Sequence, residues 1–339
     1  MAIDPPFTDW RPLTGEVSGS LRLVAAGTAI GLYGATTTAA APDAGSQVNA
    51  FALVLTPQAI VGDPPPAVTI PQALPGGGAF DIVLEAGGEL AVAVEYFGGA
   101  LNMLQVGTVS GGKVAADTVY SDINDYRFPR FVRGSAVSAG HVVTAIVNGS
   151  AIALMLGKPG TTSSLPYAVA SPGTAGVLIA SGAPPTNGTT NGVIPTSATL
   201  ALFGLAPGPP GPLSPARESP GTLFATVPRP GGKPGSPQLL SDKDGAYAFD
   251  ADEQGGTVLI VAATAKGPQL IAYDLASAAA KPVAWPAGYP STGTWIASPT
   301  VLAVAGAPGQ KLVSFAFYEG TGTEASGIRY GQIDLAQVP

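Results

Sequence analysis

The sequence contains no cysteine, a single histidine and few charged residues. The lack of cysteine excludes disulfides, zinc–thiolate centres and thiol catalysis. His141 alone would have to serve any Ser-His-Asp triad, and no Gly-x-Ser-x-Gly turn lies near it. Charged residues make up 11% of the chain, against about 25% in ordinary domains. The acids behind the net charge of −7 are scattered, and no basic stretch predicts nucleic-acid binding.

Long apolar runs and sustained helical periodicity are also missing. No stretch reaches the roughly 18 apolar residues of a membrane helix without a Gly, Pro or polar break, so no transmembrane segment is predicted. The first residues lack the basic and apolar regions of a signal peptide. We expect an extracytoplasmic location, periplasmic or secreted, with any signal peptide absent from this chain.

Glycine and proline are abundant, with 46 and 34 copies. Such a composition is typical of disordered chains, but 46% of the residues are hydrophobic. Many of them are Val, Ile and Leu, which favour strands. The composition therefore predicts many short strands separated by many turns.

A phrase of two apolar strands recurs along the chain. It begins at Gly88, Gly140, Gly256 and Gly309, at intervals of 52, 116 and 53 residues. The middle interval is about twice the others, which indicates one weaker copy between them. Candidates for the weaker copies lie at residues 199–203 and 21–55. The sequence therefore predicts six units of about 50 to 60 residues, close to the length of propeller blades.

These repeats predict an all-β protein. We expect a β-propeller with six blades of four antiparallel strands each, and a double β-sandwich is the alternative. Residues 1–18 are expected to be an extended lead-in and 19–339 a single propeller domain. A proline-rich excursion is expected at 206–237. The last strand could pair with an N-terminal strand and close the ring.

Two local patterns support this fold. In residues 89–95 large apolar residues alternate with alanine. This pattern predicts a strand that is covered on both faces, rather than a strand with one exposed face. Residues 257–263 repeat the pattern. Asn148 and Gly149 stand between two apolar runs and predict a two-residue hairpin turn.

Residues 236–250, SPQLLSDKDGAYAFD, resemble the repeat of bacterial TolB-type propellers. That repeat has a proline, a Ser-Pro-Asp-Gly turn and an Ala-Phe strand, whereas this chain has Ser-Asp-Lys-Asp-Gly at the turn. The resemblance covers about one blade. It implies a bacterial propeller, and such propellers usually bind other proteins, although lectins and hydrolases share the architecture.

Asp242, Asp244 and Asp250 belong to the one acidic cluster in the sequence. Alternating carboxylates around Gly245 are suitable ligands for calcium, although the spacing is not that of an EF-hand and Lys243 lies among the acids. The alternative is a pair of solvated hairpin turns. Apart from calcium at this cluster, no cofactor is predicted.

Tyr126, Arg127, Arg130 and Arg133 form the densest polar and aromatic run. Arginine beside aromatic rings is suited to bind a carboxylate or a sugar. In an extended strand Arg127 and Arg133 would share one face and Arg130 would take the other. The alternative is an ion-pair network between blades, with Asp125 among the partners.

Trp285, Tyr289 and Trp295 place three aromatic rings around a Gly- and Pro-rich turn. Such rings are suited to stack on a sugar face or to bind a protein partner. The alternative is packing between the fifth and sixth blades.

Residues 159–216 contain no charged side chain. Loss of charge is a feature of interface cores. We therefore expect a non-catalytic interaction or scaffold propeller, an accessory subunit that docks on a larger protein assembly through this segment and the proline-rich excursion. A secreted glycan-binding lectin is one alternative. A channel-site hydrolase or lyase that uses carboxylates or calcium is another.

Overall fold

The computed structural model describes most of the chain in separate ranges. These are residues 5–14, 19–39, 51–63, 66–71, 79–84, 88–97, 102–120, 125–137, 141–147, 151–157, 164–165, 175–182, 198–206, 220–227, 236–241 and 245–338. Within these ranges the regular structure is strand, apart from one 3₁₀ turn at Leu335–Gln337. The prediction of an all-β protein is confirmed.

The first nine strands comprise an N-terminal strand and eight strands of one sheet. They are β1 (Phe7–Leu13), β2 (Leu21–Ala26), β3 (Ala29–Ala39), β4 (Phe51–Val61), β5 (Val68–Pro71), β6 (Phe80–Leu84), β7 (Leu90–Phe97), β8 (Asn102–Ser110) and β9 (Lys113–Tyr120). The sheet order is β2-β3-β4-β5-β9-β8-β7-β6. Its two halves are antiparallel throughout and meet at a single parallel pair, where Thr69 opposes Lys113.

The remaining strands form four sheets of four strands each. They are β10 (Tyr126–Phe131), β11 (His141–Val147), β12 (Ala151–Gly157) and β13 (Ser164–Leu165); β14 (Ala175–Ser181), β15 (Thr199–Ala206), β16 (Thr222–Thr226) and β17 (Gln238–Leu239); β18 (Ala246–Gln254), β19 (Thr257–Thr264), β20 (Gly267–Asp274) and β21 (Ala279–Val283); and β22 (Thr294–Ala303), β23 (Leu312–Thr321) and β24 (Glu324–Asp334), with β1 as the fourth strand.

Hydrogen bonding thus gives five sheets rather than six separate ones. The prediction of six separate blades was wrong in this respect, because the pair at Thr69 and Lys113 joins the first two groups of four strands. The strands β2, β6, β10, β14, β18 and β22 contact one another in this order, and β22 contacts β2. This closed ring is a propeller-like arrangement, and we call its centre the axis.

The N-terminal strand closes the ring. β1 pairs antiparallel with β24, so that Trp10 opposes Gly331 and Leu13 opposes Ile328. The pairing considered for the last strand is therefore present. It joins the two ends of the described chain within one sheet.

The strands with alternating large and small residues are buried on both faces. In β7, Leu90, Val92 and Val94 lie in one apolar cluster, whereas Ala91 and Ala93 lie in another. β19 behaves in the same way, with alternate residues in two clusters. Because each sheet packs against a neighbour on either side, these strands expose neither face, as the sequence predicted.

The recurring two-strand phrase corresponds to the second and third strands, counted from the axis, of a group of four. The four copies are the hairpins β7–β8, β11–β12, β19–β20 and β23–β24. Val147 opposes Ala151 at the end of the β11–β12 ladder, in agreement with the predicted hairpin, although its turn lies outside the described residues.

Candidate functional site

A fully buried carboxylate, Asp81 of β6, lies at the axis. Its Oδ1 is 3.2 Å from Nε of Arg22, 3.3 Å from Nη2 of Arg133 and 3.9 Å from Nη1 of Arg130. Its Oδ2 accepts a hydrogen bond of 2.9 Å from the backbone N–H of Phe131. One carboxylate thus connects β2, β6 and the region of β10.

Arg133 extends this network to the opposite side of the ring. Its Nη1 donates to Oδ2 of Asp250 at 3.1 Å, to the carbonyl of Val301 at 2.6 Å and to that of Ala251 at 3.3 Å. The backbone N–H of Val301 donates to the same Asp250 oxygen at 2.8 Å. One guanidinium therefore bridges β6, β18 and β22.

The backbone around Arg133 is held by β14. The backbone N–H of Arg133 donates a hydrogen bond of 3.0 Å to the carbonyl of Leu178, and the carbonyl of Arg133 accepts one of 2.8 Å from the backbone N–H of Ala180. Gly134 follows with φ of 109°, and a Cβ there would lie 2.4 Å from the carbonyl oxygen of Ala180. Only glycine fits this close approach, which fixes where the arginine enters the axis.

The charges in the network stabilise one another. Burial alone would lower the pKa of the Arg133 guanidinium, but Asp250, Asp81 and Asp252 nearby outweigh that effect and raise its pKa above the ordinary value. The arginine therefore stays protonated, and it compensates carboxylates that could not be buried alone.

A second acidic layer follows on β18. Oδ2 of Asp252 accepts from the backbone N–H of Ala303 at 2.7 Å. Glu253 accepts from the backbone N–H of Ser135 at 3.0 Å and from Oγ of Ser181 at 3.1 Å. Burial raises the pKa of Asp252 from 3.8 to about 6, against the opposing influence of Arg133. These carboxylates connect β18 to three neighbouring segments.

A cavity of 440 Å³ opens at the end of the axis where Asp252 and Glu253 lie. It lies where β2, β6, β18 and β22 end, and aliphatic side chains such as Leu23, Ile82 and Leu302 line it together with Asp252 and Arg133. Cavities of this size, with an apolar wall and a few polar groups, are typical of small-ligand sites.

The three arginines predicted to bind a ligand do not lie together. Arg130 and Arg133 both point to Asp81, whereas Arg127 pairs with Asp125 at 2.7 Å and its side chain is 50% exposed. The predicted alternation of faces was wrong for two reasons. A bulge shifts the register between Arg127 and Arg130, and Arg133 lies beyond the end of β10, where it bridges to Ile179 of β14.

Tyr126 and Phe128 differ in the same strand. Tyr126 is buried in an apolar cluster, whereas Phe128 is 36% exposed. The backbone N–H of Phe128 donates to Oε2 of Glu95 at 3.0 Å, and its φ is 52°. This left-handed conformation is unusual for a bulky residue and accompanies the bulge.

Trp285 and Tyr289 belong to an aromatic cluster rather than to an open ring platform. Trp10 lies 5.4 Å from Trp285 and 4.8 Å from Tyr289, measured between ring centroids. Phe7, Phe315 and Phe317 complete the cluster. These contacts match the packing alternative, which placed the rings between neighbouring sheets.

The indole groups also have internal partners. Nε1 of Trp285 donates to the carbonyl of Pro268 at 2.9 Å, and Nε1 of Trp295 donates to that of Gly322 at 2.9 Å. Both rings are half-buried. Their polar edges therefore hold loops of the protein in place.

The predicted calcium ligands are only partly described. Asp242 and Asp244 lie outside the described residues, and Asp250 is fully buried at the axis. Among the described residues, no group of three or more His, Cys, Asp or Glu is placed to hold a metal ion. His141 lies in β11, and its side chain is outside the described set.

Sequence reasoning missed Arg22 and Asp81. Each stands alone in an apolar strand, in LRLVAA and FDIVL. A charged side chain inside such a strand is the signal that could have identified them, because a buried charge needs a partner. The partner itself is far away in the sequence.

The uncharged segment 159–216 contributes β13, β14 and β15 to the described chain, and the remainder of it lies outside the described residues. In the part of the chain that the structure describes, no helix is long and apolar enough to cross a membrane.

The chain is similar in fold to solved propeller structures. One is BBS1N in complex with ARL6DN, with a TM-score of 0.49, 8% identity and 96% of each chain covered. Another is the Dos1 propeller, with a TM-score of 0.43, 9% identity, and 92% of this chain and 73% of that one covered. A prolyl endopeptidase has a TM-score of 0.37 at 13% identity, with 89% and 38% covered. No family model and no curated protein matches the chain.

Proposed function

We propose that the protein is a non-catalytic interaction propeller, an accessory subunit that docks on a larger protein assembly through the outer edge of the sheet β14–β17. The observation that carries this proposal is Leu239, which is 67% exposed on the outermost strand of that sheet. Val227, which follows β16, is 49% exposed. Single exposed apolar residues are common, so the surroundings of Leu239 decide its meaning.

Leu239 borders a groove of 530 Å³ between β17 and β21. Leu240, Leu270, Val283 and Trp285 contribute to its walls. Within the described sheets, β17 and β21 are terminal strands. A terminal strand beside apolar pockets is suited to bind an extended peptide, because the backbone supplies hydrogen bonds and the pockets select side chains.

The charged residues at the axis support a non-catalytic role. Arg133, Asp81 and Asp250 bind one another and the backbone, and this arrangement stabilises the ring. A catalytic site would instead present titratable groups to a substrate in matched roles.

We also infer that the ring consists of six blade units. The two halves of the eight-stranded sheet, β2–β5 and β6–β9, would each act as one blade. Their first strands contact each other just as β6 contacts β10. Such a ring offers several sheet edges to partners.

The test is native purification of the protein with variants at two exposed apolar positions. Leu239→Ser should leave the protein folded and remove a stoichiometric partner from the purified complex. Val61→Ser is the matched control, since Val61 is 45% exposed on another sheet, and it should retain the partner. Mass spectrometry and the sedimentation of the complex report the result.

Two outcomes would contradict the proposal. The unmodified protein could purify without any stoichiometric partner, or Leu239→Ser could retain the partner as fully as Val61→Ser does. Deletion of residues 228–235, which leaves β16 and β17 in place, separates the strand edge from the proline-rich excursion as the docking element.

A further inference from the structure

The axial cavity is shaped for an aliphatic chain. It is formed where four innermost strands end, and its volume is 440 Å³. Leu23, Ile82, Leu84 and Leu302 line it. Since apolar side chains gain from contact with apolar ligand atoms, the wall favours a ligand with several methylene groups.

The polar part of the cavity is acidic. Asp252 and Glu253 both line it and are 5% and 2% exposed. Among the described lining residues Arg133 is the cation, but its guanidinium already binds Asp81 and Asp250. The charge that remains for a ligand is therefore negative.

A third carboxylate lies one step deeper on the same strand. Asp250 is fully buried, and its Oδ1 has no hydrogen-bond donor among the described residues. Residues two apart in a strand lie on the same face, so Asp250 lies on the face of β18 that Asp252 presents to the cavity. Asp250 is not itself among the residues that line the cavity, so it adds negative charge behind the site rather than a contact with the ligand.

We propose that the axial cavity binds a primary ammonium group carried on an aliphatic chain, with Asp252 as its main partner and the apolar wall around the chain. An ammonium has three donors and no acceptor, which matches a set of carboxylate oxygens. A free alkylamine and the lysine side chain of a partner share this chemistry. The site is separate from the groove at Leu239 and does not depend on the docking role.

The geometry suits an ammonium better than a divalent cation. Both oxygens of Asp252 already accept a backbone N–H, from Glu253 at 2.8 Å and from Ala303 at 2.7 Å. A carboxylate has about four lone-pair sites, so each oxygen can accept one more donor. Calcium would need six to eight oxygens around it.

Binding should depend on pH in a defined direction. The charged groups near Asp252 are Arg133, from the segment after β10, and Asp250 and Glu253 on its own strand; β22 supplies the backbone N–H of Ala303. Burial raises the pKa of Asp252 to about 6, while an alkylamine stays protonated near neutral pH. Ionised Asp252 falls from about nine tenths at pH 7 to about one tenth at pH 5, so binding should weaken about tenfold.

The test is calorimetric titration of the full chain with n-pentylamine hydrochloride at pH 7. Pentan-1-ol is the neutral probe of the same length, and Nα-acetyl-lysine amide is the probe for a lysine side chain. We expect the amine to bind at least tenfold more tightly than the alcohol. Tighter binding of the lysine probe than of pentylamine would assign the site to a protein ligand, and the reverse to a free amine.

Asp252→Asn should weaken amine binding at least tenfold and remove its pH dependence. Asp274→Asn is the matched control, because Asp274 is an exposed acid on the same sheet, and it should bind as the unmodified protein does. Ala303→Leu fills the cavity and retains the backbone N–H, so it reports the site even if Asp252→Asn fails to fold. Equal binding of amine and alcohol, or unchanged binding in both Asp252→Asn and Ala303→Leu, would overturn the proposal.

Discussion

The charged axis and the aromatic cluster both join distant parts of the chain, but with opposite chemistry. At the axis Arg133 contacts Asp81 and Asp250, which lie 52 and 117 residues away. In the cluster Trp10 contacts Trp285 across a centroid distance of 5.4 Å. A buried ion network fails when one charge is removed, because the remaining charges lose their compensation. An apolar cluster loses free energy in proportion to the contact removed.

Arg133→Met should have the largest effect on stability. Methionine retains much of the apolar stem but leaves Asp81 and Asp250, both fully buried, without their shared guanidinium. Breaking a buried pair in this way costs about 3 to 5 kcal/mol. Urea unfolding followed by tryptophan fluorescence measures the loss.

A double variant sharpens this prediction. Arg133→Met combined with Asp250→Asn removes one of the uncompensated charges, so it should be more stable than Arg133→Met alone. A loss below about 1 kcal/mol for Arg133→Met would show that the network contributes little to the fold.

Trp10→Ala should have the next largest effect, about 3 kcal/mol for the loss of a large, partly buried ring. Trp10 contacts Trp285, Tyr289 and Phe317, and the guanidinium of Arg329 lies 4.9 Å from its ring centroid. Because Trp10 belongs to β1, the amides of β1 and β24 should also exchange faster with deuterium. Urea unfolding and hydrogen exchange measure the two effects.

Trp10→Phe is the graded control for the cluster. It retains a ring and should lose about half as much free energy as Trp10→Ala. If Trp10→Phe and Trp10→Ala were equally destabilised, the cluster would respond as an all-or-none unit, and the contrast with the axis would fail.

The sequence predicted the strands and their burial because that information is local. The alternation of Leu90, Ala91, Val92 and Ala93 specifies which residue faces which neighbouring sheet, whatever the rest of the chain does. The grouping of strands into sheets was predicted less well. One parallel pair between Thr69 and Lys113 decides that two groups join, and no local pattern marks it.

The axial site could not be predicted from the sequence, because its geometry exists only after the ring closes. Asp81 stands 52 residues from Arg133, and nothing near either residue indicates the other. Arg133 lies beyond the end of β10 and bridges to Ile179 of β14, so the alternation within β10 does not extend to it. Arg130 and Arg133 therefore reach the same carboxylate, whereas strict alternation would have separated them.

Arg127→Gln should have the smallest effect, at most about 1 kcal/mol, as expected for an exposed ion pair. Arg127 and Arg133 lie six positions apart, but the Arg127 side chain is 50% exposed and binds one carboxylate, that of Asp125. Asp125 retains its contacts with the backbone and side-chain amides of Asn102 after the change.

The dependence of stability on salt should distinguish Arg127 from Arg133 most clearly. At 1 M salt the Debye length is about 3 Å, so the attraction within an exposed ion pair is largely screened, whereas the attraction within a buried pair is screened much less. The cost of Arg127→Gln should therefore vanish in 1 M NaCl, while the cost of Arg133→Met persists. Urea unfolding of both variants at low and high salt measures this difference. If the cost of Arg127→Gln did not depend on salt, Asp125 and Arg127 would act as a buried pair. The position of a charge in the ring, rather than its exposure, would then determine how much it contributes to stability.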